Sequence, residues 1–362
     1  MTRSFSIGPH LLSPETPPIF FAEIGGFFGQ DLILASEMIE RIIAVGKTVS
    51  HQPMVLKTEI LHDANICLPG DTLETYSAKD GRVQKENYRA LIERKVVALD
   101  QYGELFELCR SQDMPFCVSV YDFAGADFAV GAGAAALKIA SSNIVHIPLI
   151  RHCASKGLPL IIDSGRSTIA EVQRAVETAQ AAGCHDIVLE HSPDGHPALP
   201  KAHNLRVLQT YAQAFDLPVG LSCHHVGLEM LYMSVALGAT VLEKGVHVAP
   251  DDLDIDISHT MDLKDLKNVL ESVYACWQAL GKSARDLKTP IDGVLGTSQR
   301  QCLIAKGHLM LGDAIGLDSV GFAFPRRGIG VEHWDLVQGW QLTRDVALGQ
   351  PIRWEDVSPN KL

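Results

Sequence analysis

Lys57 and Lys138 each stand near the end of a short apolar run, "MVLKTE" and "ALKIAS", and share a phase in their respective runs. With Ser119 in "FCVSVYD" and Ser141 they offer two ammonium groups and two hydroxyls. That set could hold a small polyanion, or the lysines could be ion-paired rim residues. Other apolar runs also turn ionisable at the same end. They finish in Glu23, Glu59, Tyr121 with Asp122, Asp163 with Ser164, Glu190 with His191, Ser222 with His224, and Glu243 with Lys244. Unpaired charge at a core rim is costly, so this recurrence points to function. Glu23 alone reads equally as a catalytic carboxylate or an ion-paired one.

A metal site is weakly signalled. His224 and His225 are adjacent, and neighbours on a strand point to opposite faces, so at most one is a ligand. In "GATVLEKGVHVAPDDLDID" (238–256) a strand-like start loads its end with charge, and Gly245 sits among Glu243, Lys244 and His247. Asp251, Asp252, Asp254 and Asp256 lack the glycine and closing glutamate of a calcium loop and read as a solvated loop.

The elements that must position these residues alternate. Eight apolar runs read as buried strands: "IFFAEIG", "MVLKTE", "FCVSVYD", "ALKIAS", "PLIIDSG", "DIVLEHS", "PVGLSCH" and "TVLEKGV". Helix-length segments lie between most of them. "DLILASEMIERIIAVG" and "STIAEVQRAVETAQAAG" each close on a glycine, and the second opens near a capping box at Ser167 or Thr168 with Glu171. The pattern predicts a (β/α)8 barrel over residues 1–281 with its site at the C-terminal strand ends. No G-x-G-x-x-G follows the first strand, which weighs against a doubly wound open sheet and a nucleotide cofactor. Residues 61–96 form the longest connection and a candidate lid. A linker follows at 282–298, then a small β-rich domain at 299–362.

The 362 residues carry a net charge of -12, which disfavours nucleic acid and anionic membranes as partners. The eight cysteines are scattered with no C-x-x-C pair, as expected of reduced thiols in a cytoplasmic protein. No run is long enough to span a bilayer, and the first eighteen residues lack an apolar signal core.

Five segments, in order, resemble the sialic acid synthase family: "AEIGG…GQDLILASEMI", "KIASSNIVHIPLI", "PLIIDSGRSTIAEVQRAV", "PVGLSCHHVG" and "LGATVLEKG". The likeness runs over about residues 19 to 357, and "KIAS" is similar to the spore-coat polysaccharide branch. "GHLMLGDAIG" and "DVALGQPI" resemble turns of that family's antifreeze-like (SAF) domain. The resemblance implies condensation of phosphoenolpyruvate with an aldehydo N-acyl sugar, giving a nine-carbon 2-keto acid and phosphate. By position, Lys57, Ser119, Lys138 and Ser141 would hold phosphoenolpyruvate, and Glu23 would handle protons. Asn143 falls at a catalytic glutamate and Asp163 at a serine of the site, while Ser222 would line it. Asp256 would touch the sugar, and His224 would bind a divalent metal. Arg326 or Arg327 would reach the N-acyl group in a partner subunit's barrel, implying a domain-swapped homodimer.

The departures fall in the site. Phe27 and Phe28 replace an asparagine and a histidine, Glu59 a glutamine, Cys223 an aspartate, and Asp194 and His196 an asparagine and a tyrosine. The second metal histidine is Gly245. His247, two positions on and in phase, is the substitute ligand, although two residues span about 7 Å along a strand. Glu243 or Asp163 could add an oxygen, suiting manganese or magnesium. A changed acceptor on a retained phosphoenolpyruvate site is the expected function. The alternatives are a barrel aldolase or lyase using Lys57 or Lys138 as a Schiff base, and a non-catalytic sugar- or anion-binding relative.

Overall fold

The computed structural model describes residues 4–77, 81–248, 256–283 and 299–359. Asp251, Asp252 and Asp254, and residues 284–298 of the expected linker, lie outside the described residues. The chain separates into two compact units, residues 1–281 and 282–362.

The first unit is a closed parallel barrel, not an open sheet. Its strands are β1 Ile19–Gly25, β2 Met54–Glu59, β3 Phe116–Val120, β4 Ala136–Ile139, β5 Leu160–Asp163, β6 Ile187–His191, β7 Val219–Ser222 and β8 Val241–His247. Each pairs with the next, and β8 returns to β1 through the register Val241↔Ile19 to Gly245↔Glu23. Alternation along the strands sorts their residues into two cores. Ala22, Leu56, Val118, Leu137, Ile162, Leu189, Leu221 and Leu242 point outward into the layer under the helices. Phe21, Val55, Cys117, Ala136, Ile161, Val188 and Val241 point inward and fill the lower barrel. An N-terminal hairpin, Phe5–Ile7 with His10–Leu12, packs Phe5, Ile7 and Leu12 against that inner layer. It stoppers the end of the barrel away from the charged strand ends.

The helix Ile169–Ala181 carries the expected capping box, with Thr168 and Glu171 satisfying each other's backbone donors, and Gly183 follows it at φ +97°. Gly46 corrects a parallel expectation, because the helix Leu32–Thr48 runs through it. A Cβ there would come within 2.4 Å of the Met54 methyl, so this glycine marks close packing and not a helix end. Residues 61–96 are not an irregular loop. They hold an antiparallel hairpin, Leu73–Ser77 with Val83–Asn87, and a short helix, Tyr88–Glu93. The helix Leu266–Leu280 closes the unit.

The second unit is a set of short strands, Cys302–Ala305 with Val320–Ala323 and Gln341–Leu342 with Val357–Ser358. They surround their own core of Leu303, Ile315, Val320, Ile329, Leu342, Val346 and Ile352. All eight cysteines are free, and all but Cys276 are buried. Among the described residues no helix is long and apolar enough to cross a membrane.

Candidate active site

Two residues beyond the apolar inner layer, each strand presents its next inward side chain, and all eight are polar. In barrel order they are Glu23, Lys57, Ser119, Lys138, Asp163, Glu190, Ser222 and Glu243. All except Glu23 are buried. The floor of the upper barrel is therefore a largely buried ring of four carboxyls, two ammonium groups and two hydroxyls.

The lysines are shared out among the carboxyls. Lys57 contacts Glu23 directly and lies 3.4 Å from Glu243 Oε1. Lys138 Nζ donates to the same Glu243 oxygen at 2.7 Å and lies 3.2 Å from Asp163 Oδ2. It also forms an ion pair with Glu190 Oε2 at 2.6 Å. Ser222 donates to Glu243 at 3.2 Å, while Ser192 Oγ and the Gly165 N–H support Asp163 at 2.5 and 3.1 Å. The buried Ser119 hydroxyl has no hydrogen-bond partner among the described residues.

This arrangement splits the carboxyls. Burial pushes Glu23 up to about 7 against the pull of Lys57, and pushes Glu190 up to about 8 with Glu243 adding to it. Against the same burial, Lys138 and Lys57 hold Glu243 down at about 2. Burial opposes charge on both lysines as well, but their carboxylate neighbours outweigh it and hold the ammonium forms.

Above the ring lies a cleft of about 620 Å3, lined by every barrel residue to which the resemblance gave a substrate, proton or metal role except His247, while the strand-end candidates Ser164, Glu190, His191 and Lys244 do not line it. Ser141 and Asn143 enter on the turn after β4, where the Asn143 amide reaches Val120 O at 3.5 Å. Glu59 and Tyr121, one layer further up, form a 2.8 Å hydrogen bond on its wall. An adjoining lobe of about 570 Å3 shares Ser141, Ser142, Tyr88, His196 and His224 with it, and is bordered by Glu74, Thr75, Tyr76 and Arg166. Arg326 and Arg327 belong to the second unit. There Arg326 pairs with Glu332 at 2.6 Å, while Arg327 is exposed and has no ion-pair partner among the described residues.

His247 is not a member of the site. It ends β8, where the strand leaves the barrel to pair with Met261–Asp262, and it lines a separate cavity with Gly227, Tyr232 and Asp262. The imidazoles that gather beside His224 are His196 and His259, with one ring nitrogen of each within 4.8 Å of the others. Asp256 Oδ1 lies 2.8 Å from His196 Nδ1 and 3.5 Å from His259 Nε2. His225 turns away to Ala198 O and Glu229, as alternation requires.

The cluster fits a divalent metal ion. The buried His224 Nδ1 has no hydrogen-bond partner among the described residues, while His259 turns its Nε2 towards His196 Nδ1, 3.3 Å away, and Asp256. Burial pulls both rings below their ordinary range, His224 far below with help from its histidine neighbours. Neutral imidazoles are what a metal binds. Three nitrogens with one carboxylate suit manganese or zinc better than magnesium, which prefers an all-oxygen shell.

Glu190 and Glu243 were visible in the sequence as strand ends, and two-residue steps from the inner core would have placed both in the ring. His196 showed only as a substituted position, and nothing local marked His259.

The NeuB family model matches residues 52–285 of the chain. The N,N'-diacetyllegionaminic acid synthase of Legionella pneumophila is 29% identical over 301 residues, covering 79% of this chain and 83% of its own. The pseudaminic acid synthase of Helicobacter pylori is 24% identical over 345 residues, covering 94% and 98%. Among solved structures, the N-acetylneuraminic acid (sialic acid) synthetase of Leptospira borgpetersenii superposes with a TM-score of 0.69 at 22% identity, over 79% of this chain and 93% of that one. At that identity the likeness speaks for the fold.

Proposed function

The chain belongs to the NeuB family, and from that premise we propose that it joins phosphoenolpyruvate to the open-chain aldehyde of an N-acyl sugar. The products are a sialic-acid-like 2-keto sugar acid and phosphate, as a step in surface polysaccharide biosynthesis. C3 of phosphoenolpyruvate bonds to the aldehyde carbon, water adds at C2, and the C2–O bond breaks as phosphate leaves. The enzyme is thus a carbon–carbon bond-forming transferase, working in the cytoplasm.

The observation that carries this reading is the pair of buried ammonium groups, Lys57 and Lys138, beside the unpartnered Ser119 hydroxyl on the cleft floor. They supply the fixed donors that the phosphate and carboxylate of phosphoenolpyruvate need. Ser141 and Ser222 extend that cradle from the turn after β4 and from β7. Glu23 is the one carboxyl of the ring that is partly exposed, at 16% of its side chain, and it is held near neutrality. It is placed to pass protons to and from the attacking water or the nascent hydroxyl. Asp163 in the ring and Asn143 on the turn after β4 orient the substrate. His196, His224, His259 and Asp256 would hold a divalent metal, manganese before magnesium. Such an ion, when bound, polarises the aldehyde oxygen.

The charged state of both lysines disfavours a Schiff base, since an amine must be neutral to attack a carbonyl. In this reading the second unit is the antifreeze-like domain of a domain-swapped homodimer, and Arg327, which has no ion-pair partner among the described residues, is the better suited of its two arginines to reach an N-acyl group.

The test is phosphate release from phosphoenolpyruvate across a panel of aldehydo sugars, with manganese or with EDTA. Release that requires both a sugar and manganese supports the reading. Release without any sugar would replace it with a phosphatase-like activity, and no release with any sugar would favour a binding protein.

A further inference from the structure

Glu190 takes no part in the chemistry above, yet it is the most enclosed carboxyl of the ring, with 0% exposure. The partners of the four carboxyls rank them. Glu243 accepts hydrogen bonds from Lys138 and Ser222 and lies near Lys57. Asp163 accepts from Ser192 and the Gly165 N–H. Glu23 is bonded to Lys57 and reaches the cleft. Glu190 has only its 2.6 Å ion pair with Lys138, and no hydroxyl or backbone N–H supports either of its oxygens among the described residues.

Four ionised carboxyls facing two ammonium groups would leave two negative charges in excess in a buried ring, a costly state that also opposes binding of a polyanion. The groups facing Glu190 are Asp163, its register partner on β5, Lys138 on β4, and Glu243 on β8. Ser222 on β7 supports Glu243, and Lys57 and Glu23 lie beyond it. No second cation is near enough to pair with Glu190 among the described residues.

We propose that Glu190 is a proton-holding positioning residue, which as a neutral acid leaves the Lys138 charge free for the anionic end of phosphoenolpyruvate and as a carboxylate ties that charge up. The proposal rests on the reading that Lys138 helps to hold phosphoenolpyruvate. Burial raises the Glu190 carboxyl to about 8, so the change falls just above neutrality. Binding of phosphoenolpyruvate above that point must return a proton to Glu190.

Calorimetric titration of the full chain with phosphoenolpyruvate, in two buffers of different ionisation enthalpy, counts that proton. In the native protein, uptake is expected to rise towards one proton per ligand from about pH 7 to about pH 9, with Kd rising roughly 10-fold per unit above about pH 8. Glu190→Gln, permanently neutral, is expected to bind phosphoenolpyruvate at neutral pH as the native protein does. It should lose that uptake. A merely structural role would not alter that proton count. Native binding without uptake above about pH 8, or unchanged uptake in Glu190→Gln, would overturn the proposal. If the variant folds poorly, the native proton count still decides, since a flat one excludes the role. Absence of binding at neutral pH in both buffers would overturn the reading of Lys138 itself, and the proposal with it.

Discussion

Phe27 stands where a side chain at position 245 would have to project. A Cβ built on Gly245 would lie 3.2 Å from two Phe27 ring carbons and 2.7 Å from Thr260 Cγ2. Phe27 is buried at 3% exposure, so the ring cannot simply swing into solvent. Two departures far apart in sequence, an aromatic at 27 and a glycine at 245, are therefore one structural change. The space given up by the imidazole expected at 245 is filled by carbon. The histidines beside His224 come from the loop after β6 and from the turn at Ile257–His259.

Restoring histidine at 245 alone is then expected to harm the protein. Gly245→His overpacks a filled site, and a loss of about 1–3 kcal/mol is the ordinary cost of such an insertion. Chemical denaturation measures it. A histidine accepted at 245 without loss of stability would show that Phe27 yields and that the two positions are not coupled.

Metal affinity should follow the structural cluster and not the sequence order. His224→Ala and His259→Ala are each expected to weaken manganese binding by more than 10-fold, because each removes one of three nitrogen donors. His247→Ala is expected to leave it unchanged, since that ring lines another cavity. Equilibrium dialysis with manganese gives the comparison without recourse to activity. Loss of binding in His247→Ala, with none in His259→Ala, would return the site to the end of β8.

The difference between those two histidines shows what the sequence could and could not carry. The barrel was legible because each strand begins apolar on both faces and helices such as Leu32–Thr48 and Ile169–Ala181 are amphipathic, so all eight strands fall on the expected runs. The ring residues were legible for a related reason. A charge in phase with a buried core residue two positions earlier has nowhere to point but inward. His247 obeys the same phase rule and misled, because β8 has left the barrel by that residue and phase no longer implies a shared interior. His259 lies in a short helical turn with no periodic partner, so only the chain's path in space brings it to His224. The N-terminal hairpin was missed because strands of three residues leave too short a pattern to read.

Lys138 should be as much a structural residue as a binding one. Its ammonium is the shared neighbour of Glu190, Glu243 and Asp163. Lys138→Met keeps the length of the side chain and strands those carboxyls, so a loss of about 3–5 kcal/mol is expected near neutrality. Adding Glu190→Gln removes the acid that has lost its cationic neighbour, and should recover part of the loss above about pH 8, where the native Glu190 is ionised. A double-mutant cycle measures that recovery, and strictly additive effects would mean that Lys138 and Glu190 do not interact.

The same acid makes stability depend on pH in a direction that can be worked out. The Glu190 carboxyl titrates at about 8 in the folded chain against an ordinary 4.5. Between those values the folded state holds a proton that the unfolded state has released. Stability contributed by Glu190 is therefore fully present below about 4.5 and lost as pH rises, at up to about 1.4 kcal/mol per unit, until about pH 8. Glu23 acts in the same sense up to about 7. Glu243, held at about 2, acts in the opposite sense, its stability being lost only as pH falls towards that value. His224 and His259, pulled down by burial, lose stability below their ordinary range near 6.5, so acid unfolding remains. These groups are common to the native protein and to Glu190→Gln, and the difference between the two isolates Glu190. The variant's advantage in denaturant midpoint is expected to grow from about pH 5 to about pH 8 and then level off. A difference that is the same at every pH would mean that Glu190 is already ionised in the folded barrel, and that the excess negative charge around Lys138 is balanced elsewhere.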